Sequence, residues 1–323
     1  MSSRVVYLQA SFWQQLRADT SIAGLQCLMN VYCAISESEL HTDISDEVWD
    51  TDEFLILLWK RHLQGKSEIE LYESLTLDKP DSSIADLSAV YLTNKNAEDC
   101  NRLGTHYGIV AFNHEKTLRD EHVFKGNGFL LKKNDLYEDR FLQFENILKY
   151  PSNAMIMIDP YILLKAEDID GNIPSLFDVL LPNKRLEMEY HLSVFSMVSE
   201  NGDNAYGQTK YEKICNLIKA LRKGLRFDLT IYAIGKAEDF HSRMIITNNA
   251  LLQAPDGFNV FRKDGSANKN AKFDIVLPRL IGDARQDMSN YLRWIKVAKT
   301  RSQEHSRTML WGTKENRLFD LVK

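Results

Sequence analysis

Short apolar, β-branched runs alternate with helical periodicities along the whole chain. Val5-Val6-Tyr7-Leu8 has the character of a buried strand. Ser11 to Arg17 and Ser21 to Ile35 predict helices, the second with an apolar face at Ile22, Leu25, Leu28, Met29 and Tyr32. Further helices are predicted for Phe54 to Leu63, Glu68 to Leu75 and Ala97 to Tyr107. Asp86 to Asn94 and Gly108 to Asn113 predict strands. Strands separated by helices imply an α/β domain with a largely parallel sheet.

The alternation continues past a polar junction. Lys132-Lys133-Asn134-Asp135 and Tyr150-Pro151-Ser152-Asn153 bracket a predicted helix at Leu136–Leu148. Strands follow at Ala154–Tyr161, Glu189–Met197 and Arg226–Gly235, with helices at Ile173–Leu181 and Tyr211–Gly224 between them. Phe240–Asn249 predicts a further strand, Leu251–Phe261 one broken by a turn, and Leu277–Ala298 contains a long helix. The expected organisation is an acidic α/β domain at 1–135, a mixed sheet flanked by helices at 136–307, and a tail at 308–323. The tail's Leu318, Phe319 and Leu321 look exposed, ready to dock on this chain or on a partner.

Charge changes this picture. The formal net charge of -5 conceals an asymmetry: residues 1–150 carry 24 acids and 15 bases, the remainder 21 acids and 25 bases. From Arg262 to Arg307 there are 11 bases against 5 acids, including Lys263, Lys269 and Lys272, a stretch suited to a polyanion. No apolar run is long enough for a membrane span, and the N-terminus passes directly into a strand pattern instead of a signal peptide. Cys27, Cys33, Cys100 and Cys215 are scattered without a Cys-x2-Cys pair, which fits a reducing, cytoplasmic setting and argues against zinc or disulfides.

Candidate chemistry concentrates in Phe240–Asn249. On an extended strand His241, Arg243, Ile245 and Thr247 share one face. That face offers an imidazole, able to attack phosphorus or move a proton, beside a guanidinium matched to phosphate oxygens. The succession of helix, strand, acidic link and His-x-Arg strand resembles the phospholipase-D-like superfamily, whose signature is His-x-Lys-x4-Asp. Arg243 stands in the Lys place and Asn248 in the Asp place, and Ala154–Tyr161 resembles the family's first strand, which often ends in Asp-Pro-Tyr. The variant is similar to the C-terminal domain of MIT-domain proteins, a branch with a phosphate-binding surface.

The resemblance implies catalytic places for His241, Arg243 and Asn248, and a homodimer if two His241 side chains are to act on one phosphate. Arg does not release a proton as Lys does, so binding is expected to outlast catalysis. Asp159 stands either as the group that holds His241 in one tautomer or as the cap of a turn before Pro160. The basic set Arg262, Lys263, Lys269 and Lys272 extends the phosphate surface.

The first half carries a PIN-like resemblance over residues 4–130. Sites in such sheets sit at the carboxyl ends of strands, which here carry Gln9, Asn94 and Asn113. Two-metal hydrolysis needs several carboxylates, so no metal or other cofactor is expected unless Glu37, Glu39 or Asp43 is recruited. The expected function is a nucleic-acid- or phosphodiester-binding adaptor. The resemblance places it beside partner proteins in prokaryotic anti-phage defence. A metal-independent nuclease and a protein-interaction subunit are the rival expectations.

Overall fold

The computed structural model describes residues 5–36, 38–65, 68–80, 83, 87–119, 127–164, 166–197, 204–234, 242–276, 282–304, 310–312 and 315–322. The first unit runs β1 (Val5–Leu8), α1 (Ala10–Ala18), α2 (Ile22–Ser36), β2 (Glu39–Thr42), α3 (Asp46–Thr51), α4 (Glu53–Leu63), β3 (Glu68–Leu71), β4 (Val90–Leu92), α5 (Ala97–Tyr107), β5 (Val110–Phe112) and α6 (His114–Arg119). The second contains β6 (Asn127–Leu131), α7 (Glu145–Leu148), β7 (Ala154–Ile158), α8 (Ala166–Gly171), α9 (Ile173–Leu180), β8 (Tyr190–Ser196), α10 (Asn204–Leu221) and β9 (Phe227–Ala233). It closes with β10 (Met244–Thr247), β11 (Leu251–Gln253), β12 (Ala271–Val276), α11 (Gly282–Glu304) and β13 (Leu310–Trp311).

The α/β expectation holds. A five-stranded sheet has the order β3-β2-β1-β4-β5, with every pairing parallel. An eight-stranded mixed sheet has the order β13-β9-β8-β7-β10-β11-β12-β6. Its parallel centre, β7-β8-β9, is flanked by antiparallel strands. β7 reads Ala-Met-Ile-Met-Ile and is buried throughout, as a strand covered on both faces must be. One face packs Met155 and Met157 in the main core with Leu176 and Phe177, and the other packs Ile156 and Ile158 against Met288 and Leu292.

Several elements depart from the sequence reading. Glu68–Leu71 is a strand, not a helix: Glu-Ile-Glu-Leu alternates with period two, and β2 supplies the pairing edge. β2 carries Glu39, one of the acids considered for metal, on a strand that was not predicted. Residues 136–148 form a 3-10 turn at Arg140–Phe144 and the short α7 instead of one helix. β6 pairs with β12, so the change of sheet falls before residue 127. The tail docks on its own chain, with Leu318, Phe319 and Leu321 buried against the second core.

Three asparagines join the two sheets. Asn153 donates to the carbonyls of Leu87 and Tyr107, Asn248 to those of Leu87 and Gly108, and Asn249 to those of Gly108 and Pro151. Gly108 has a positive φ of 64°, and a Cβ there would stand 2.2 Å from the Ser152 carbonyl oxygen. Glycine permits both the turn and the close approach.

Candidate phosphate site at the carboxyl edge of the second sheet

Asp159 follows β7 at the carboxyl end of the parallel strands and is 1% exposed. Its carboxylate accepts the N–H groups of Tyr161 and Phe258, at 2.9 and 2.8 Å. β10 runs antiparallel to β7 with Met244 opposite Ile158, which sets Arg243 at the register position of Asp159. Burial pushes the Asp159 carboxyl up from the ordinary carboxylate range, against the lowering pull of those two N–H groups, Arg243 and Lys269.

Arg243 is half-buried and its guanidinium lies over the Tyr161 ring, 5.4 Å from the centroid. One arm donates to the Pro255 carbonyl at 2.6 Å. Gly257 has a φ of 82°, and a Cβ there would meet Arg243 Cδ and Asp159 Oδ2 at 2.9 Å each. Its missing side chain lets the turn close on this pair. Lys269 reaches the same turn, donating to the Asp256 carbonyl. Arg243 and Lys269 therefore converge beside one buried carboxylate, an arrangement that holds cations in place for an anion.

The other expected residues are placed differently. His241 lies outside the described residues. Asn248 stands at the opposite end of β10, five residues from Arg243 or roughly 16 Å of extended chain. It is fully buried, its Oδ1 accepting the Asn153 N–H at 2.9 Å while its amide serves the seam. Its polar atoms are committed there, away from Arg243. Arg262 donates to Asn134 and Ser266 on a separate hairpin, and exposed Lys263 on that turn gives its carbonyl to Arg140. Exposed Lys272 pairs with Asp274 at 2.7 Å. On α11, Lys296 donates to tail carbonyls and Lys299 pairs with Glu315, so these lysines hold the tail. Asp159 takes the turn-capping place through the Tyr161 N–H.

The corresponding edge of the first sheet is closed. The strand order reverses between β2-β1 and β4-β5, the place where open α/β sheets bind ligands. Gln9 fills it, donating to Leu75 and accepting from Thr93 and Asn94. Asp43 accepts the N–H groups of Ala10 and Leu75, and Leu75 is buried. Asn113 is spent on the N–H of Lys116.

Among the described residues, Glu39, His41 and Glu70 form a group with ligand atoms within 4.8 Å of one another. The sequence offers Glu39 but not its partners, because a helix at 68–75 does not bring Glu70 beside His41. Glu39 faces Nε2 of His41 at 3.0 Å, whereas Glu70 and the Tyr72 hydroxyl face Nδ1 at 3.4 and 2.9 Å. The two ring nitrogens point apart, so the imidazole bridges the carboxylates instead of converging with them on one point.

No protein-family profile matches the chain, and no curated protein matches it. Among solved structures, the archaeal chromatin protein TrmBL2, described as showing a novel mode of DNA binding, is 13% identical with a TM-score of 0.26. That match covers 54% of this chain and 52% of TrmBL2, so the chain spans about half the length of that protein. A phosphatidylserine synthase from Haemophilus influenzae Rd KW20 is 9% identical with a TM-score of 0.29, covering 96% of this chain and 82% of that one. Both likenesses are shallow. No helix among the described residues is long and apolar enough to cross a membrane.

Proposed function

We propose that this chain binds a phosphodiester, most naturally that of a nucleic acid, at the carboxyl edge of its second sheet, as an adaptor and not as a nuclease. The supporting observation is the Arg243 guanidinium, set opposite buried Asp159, backed by the Tyr161 ring and joined by Lys269. Its only hydrogen bond among the described residues is to Pro255, leaving donors for phosphate oxygens. Asn248 spends its polar atoms at the far end of β10, which favours binding over catalysis at this edge.

The test is binding of single- and double-stranded DNA and RNA oligonucleotides by the full chain across a salt series. Several phosphate contacts give a log-log slope above ~3 in magnitude. Arg243→Ala should weaken binding roughly ten- to hundredfold, the worth of a charge-assisted hydrogen bond, with the melting temperature preserved. Affinity indifferent to salt and to Arg243→Ala overturns the reading. Robust cleavage in EDTA that disappears in His241→Ala replaces it with a metal-independent nuclease.

A further inference from the structure

A cavity lies elsewhere, in the cleft between the two sheets. It measures about 550 Å³, within the range of sites for small organic ligands, and domain junctions are where such sites form. Its floor is β5, the free edge of the first sheet. Its apolar walls come from both units, with Ile109 on one side and Pro151, Leu180 and Pro182 on the other.

Two observations specify what fits. The first is a backbone edge. Thr93 N–H donates to the Phe112 carbonyl, and Leu92 is the register partner of Phe112. In a parallel pair both main-chain groups of one residue face the same neighbour, so Phe112 turns toward β4 and Ala111 turns outward. Ala111 is 3% exposed and lines the cavity, and no strand among the described residues pairs with its outward N–H and C=O. A buried, unpaired donor and acceptor are costly when empty and selective when matched. They fit a planar heterocycle with an acceptor and a donor side by side on one edge, as nucleobases have.

The second observation is charge. Among the described residues the cavity is lined by Lys116, Lys149 and Lys184 and by no Asp or Glu, although residues 1–150 carry a net -9. Lys149 is paired with Glu145 one turn away, and Lys116 rests over the Phe112 ring at 5.3 Å. Lys116 and Lys184, on opposite sides of an apolar cleft, favour an anion.

We infer that the interdomain cleft binds a nucleoside monophosphate, its base edge on the Ala111 main chain and its phosphate toward Lys116 and Lys184. The cleft is separate from the Arg243 edge: Ser152, which lines it, is seven residues from Asp159 along β7, roughly 23 Å of extended chain. Binding there therefore stands or falls apart from the proposed phosphodiester function.

The experiment is calorimetric titration of the full chain with AMP, GMP, CMP and UMP, and with adenosine and ribose 5-phosphate as halves of the ligand. At least one nucleotide should bind, and each half should bind at least tenfold more weakly. Ala111→Pro removes only the outward N–H, a change that edge strands tolerate, and should weaken binding at least tenfold at an unchanged melting temperature. If Ala111→Pro fails to fold, Lys116→Met supplies the reading, with a loss of about fivefold confined to the phosphate-bearing probes. No nucleotide binding at millimolar concentration overturns the inference. So does binding unaltered in Lys116→Met and in folded Ala111→Pro.

Discussion

The carboxyl edges of the two sheets occupy equivalent positions in their folds and have opposite chemistry. At the first, Gln9 and Asp43 pin the segment carrying Leu75 over the point where strand order reverses. At the second, Arg243 and Lys269 gather around a carboxylate whose own acceptors are filled by backbone N–H groups. A polar residue at a strand end is thus ambiguous. It marks a site only where its hydrogen-bonding capacity remains available, and a plug where the chain consumes it.

Four perturbations break or sharpen this contrast. The largest effect should come from Asp43→Ala, which orphans the N–H groups of Ala10 and Leu75. Unfolding in urea should show a loss of about 3 kcal/mol, with oligonucleotide affinity unchanged once the protein is saturably folded. A loss of affinity instead would make the first edge part of the binding surface.

Next come the basic residues of the second unit. Lys269→Ala should weaken oligonucleotide binding about fivefold, and Lys263→Ala, on the separate hairpin, distinctly less. Equal losses would spread the surface over the hairpin and deny Arg243 and Lys269 their special place.

A smaller effect concerns pH. The Asp159 carboxyl is raised in the folded chain, so the folded state holds that proton more tightly than the unfolded one. Its contribution favours folding at low pH and is lost as pH rises from 3.8, the ordinary value, through the raised one. The parent should therefore lose more stability than Asp159→Asn between pH 4 and neutrality, measured by urea denaturation at each pH. Parallel curves would mean that Arg243 and Lys269 neutralise the burial cost.

The smallest expected effect is that of metal. Because Glu39 and Glu70 face opposite nitrogens of His41, millimolar Mn2+ or Zn2+ should leave the melting temperature unchanged. A site occupied at a hundred times its dissociation constant would add about 2.7 kcal/mol. A rise of that size, lost in His41→Ala, would turn the bridge into a metal centre.

Much of this architecture is legible in the chain itself. Helix Ala97–Tyr107 announces both ends, with Asn96 accepting the Asp99 N–H at the start and Gly108 in the left-handed conformation at the finish. Buried strands such as β7 announce themselves as unbroken apolar runs, and their alternation with helices determines the α/β class. The cation at Arg243 was likewise legible, since strand periodicity and guanidinium chemistry are local properties.

What only the tertiary structure decided is where each polar group spends its hydrogen bonds. Asn248 reads identically whether it faces a ligand or a neighbouring sheet, and only the approach of Gly108 and Leu87 makes it a clamp. Glu68–Leu71 is too short for its period to exclude a helix until β2 offers an edge. Lys296 looks like a polyanion contact until the tail folds back beneath it. The Ala111 main chain carries no sequence signal at all, because its place on an edge strand is decided only by how the described strands pair. Secondary structure follows from near neighbours in sequence, whereas hydrogen-bond satisfaction depends on partners that here lie as many as 161 residues away.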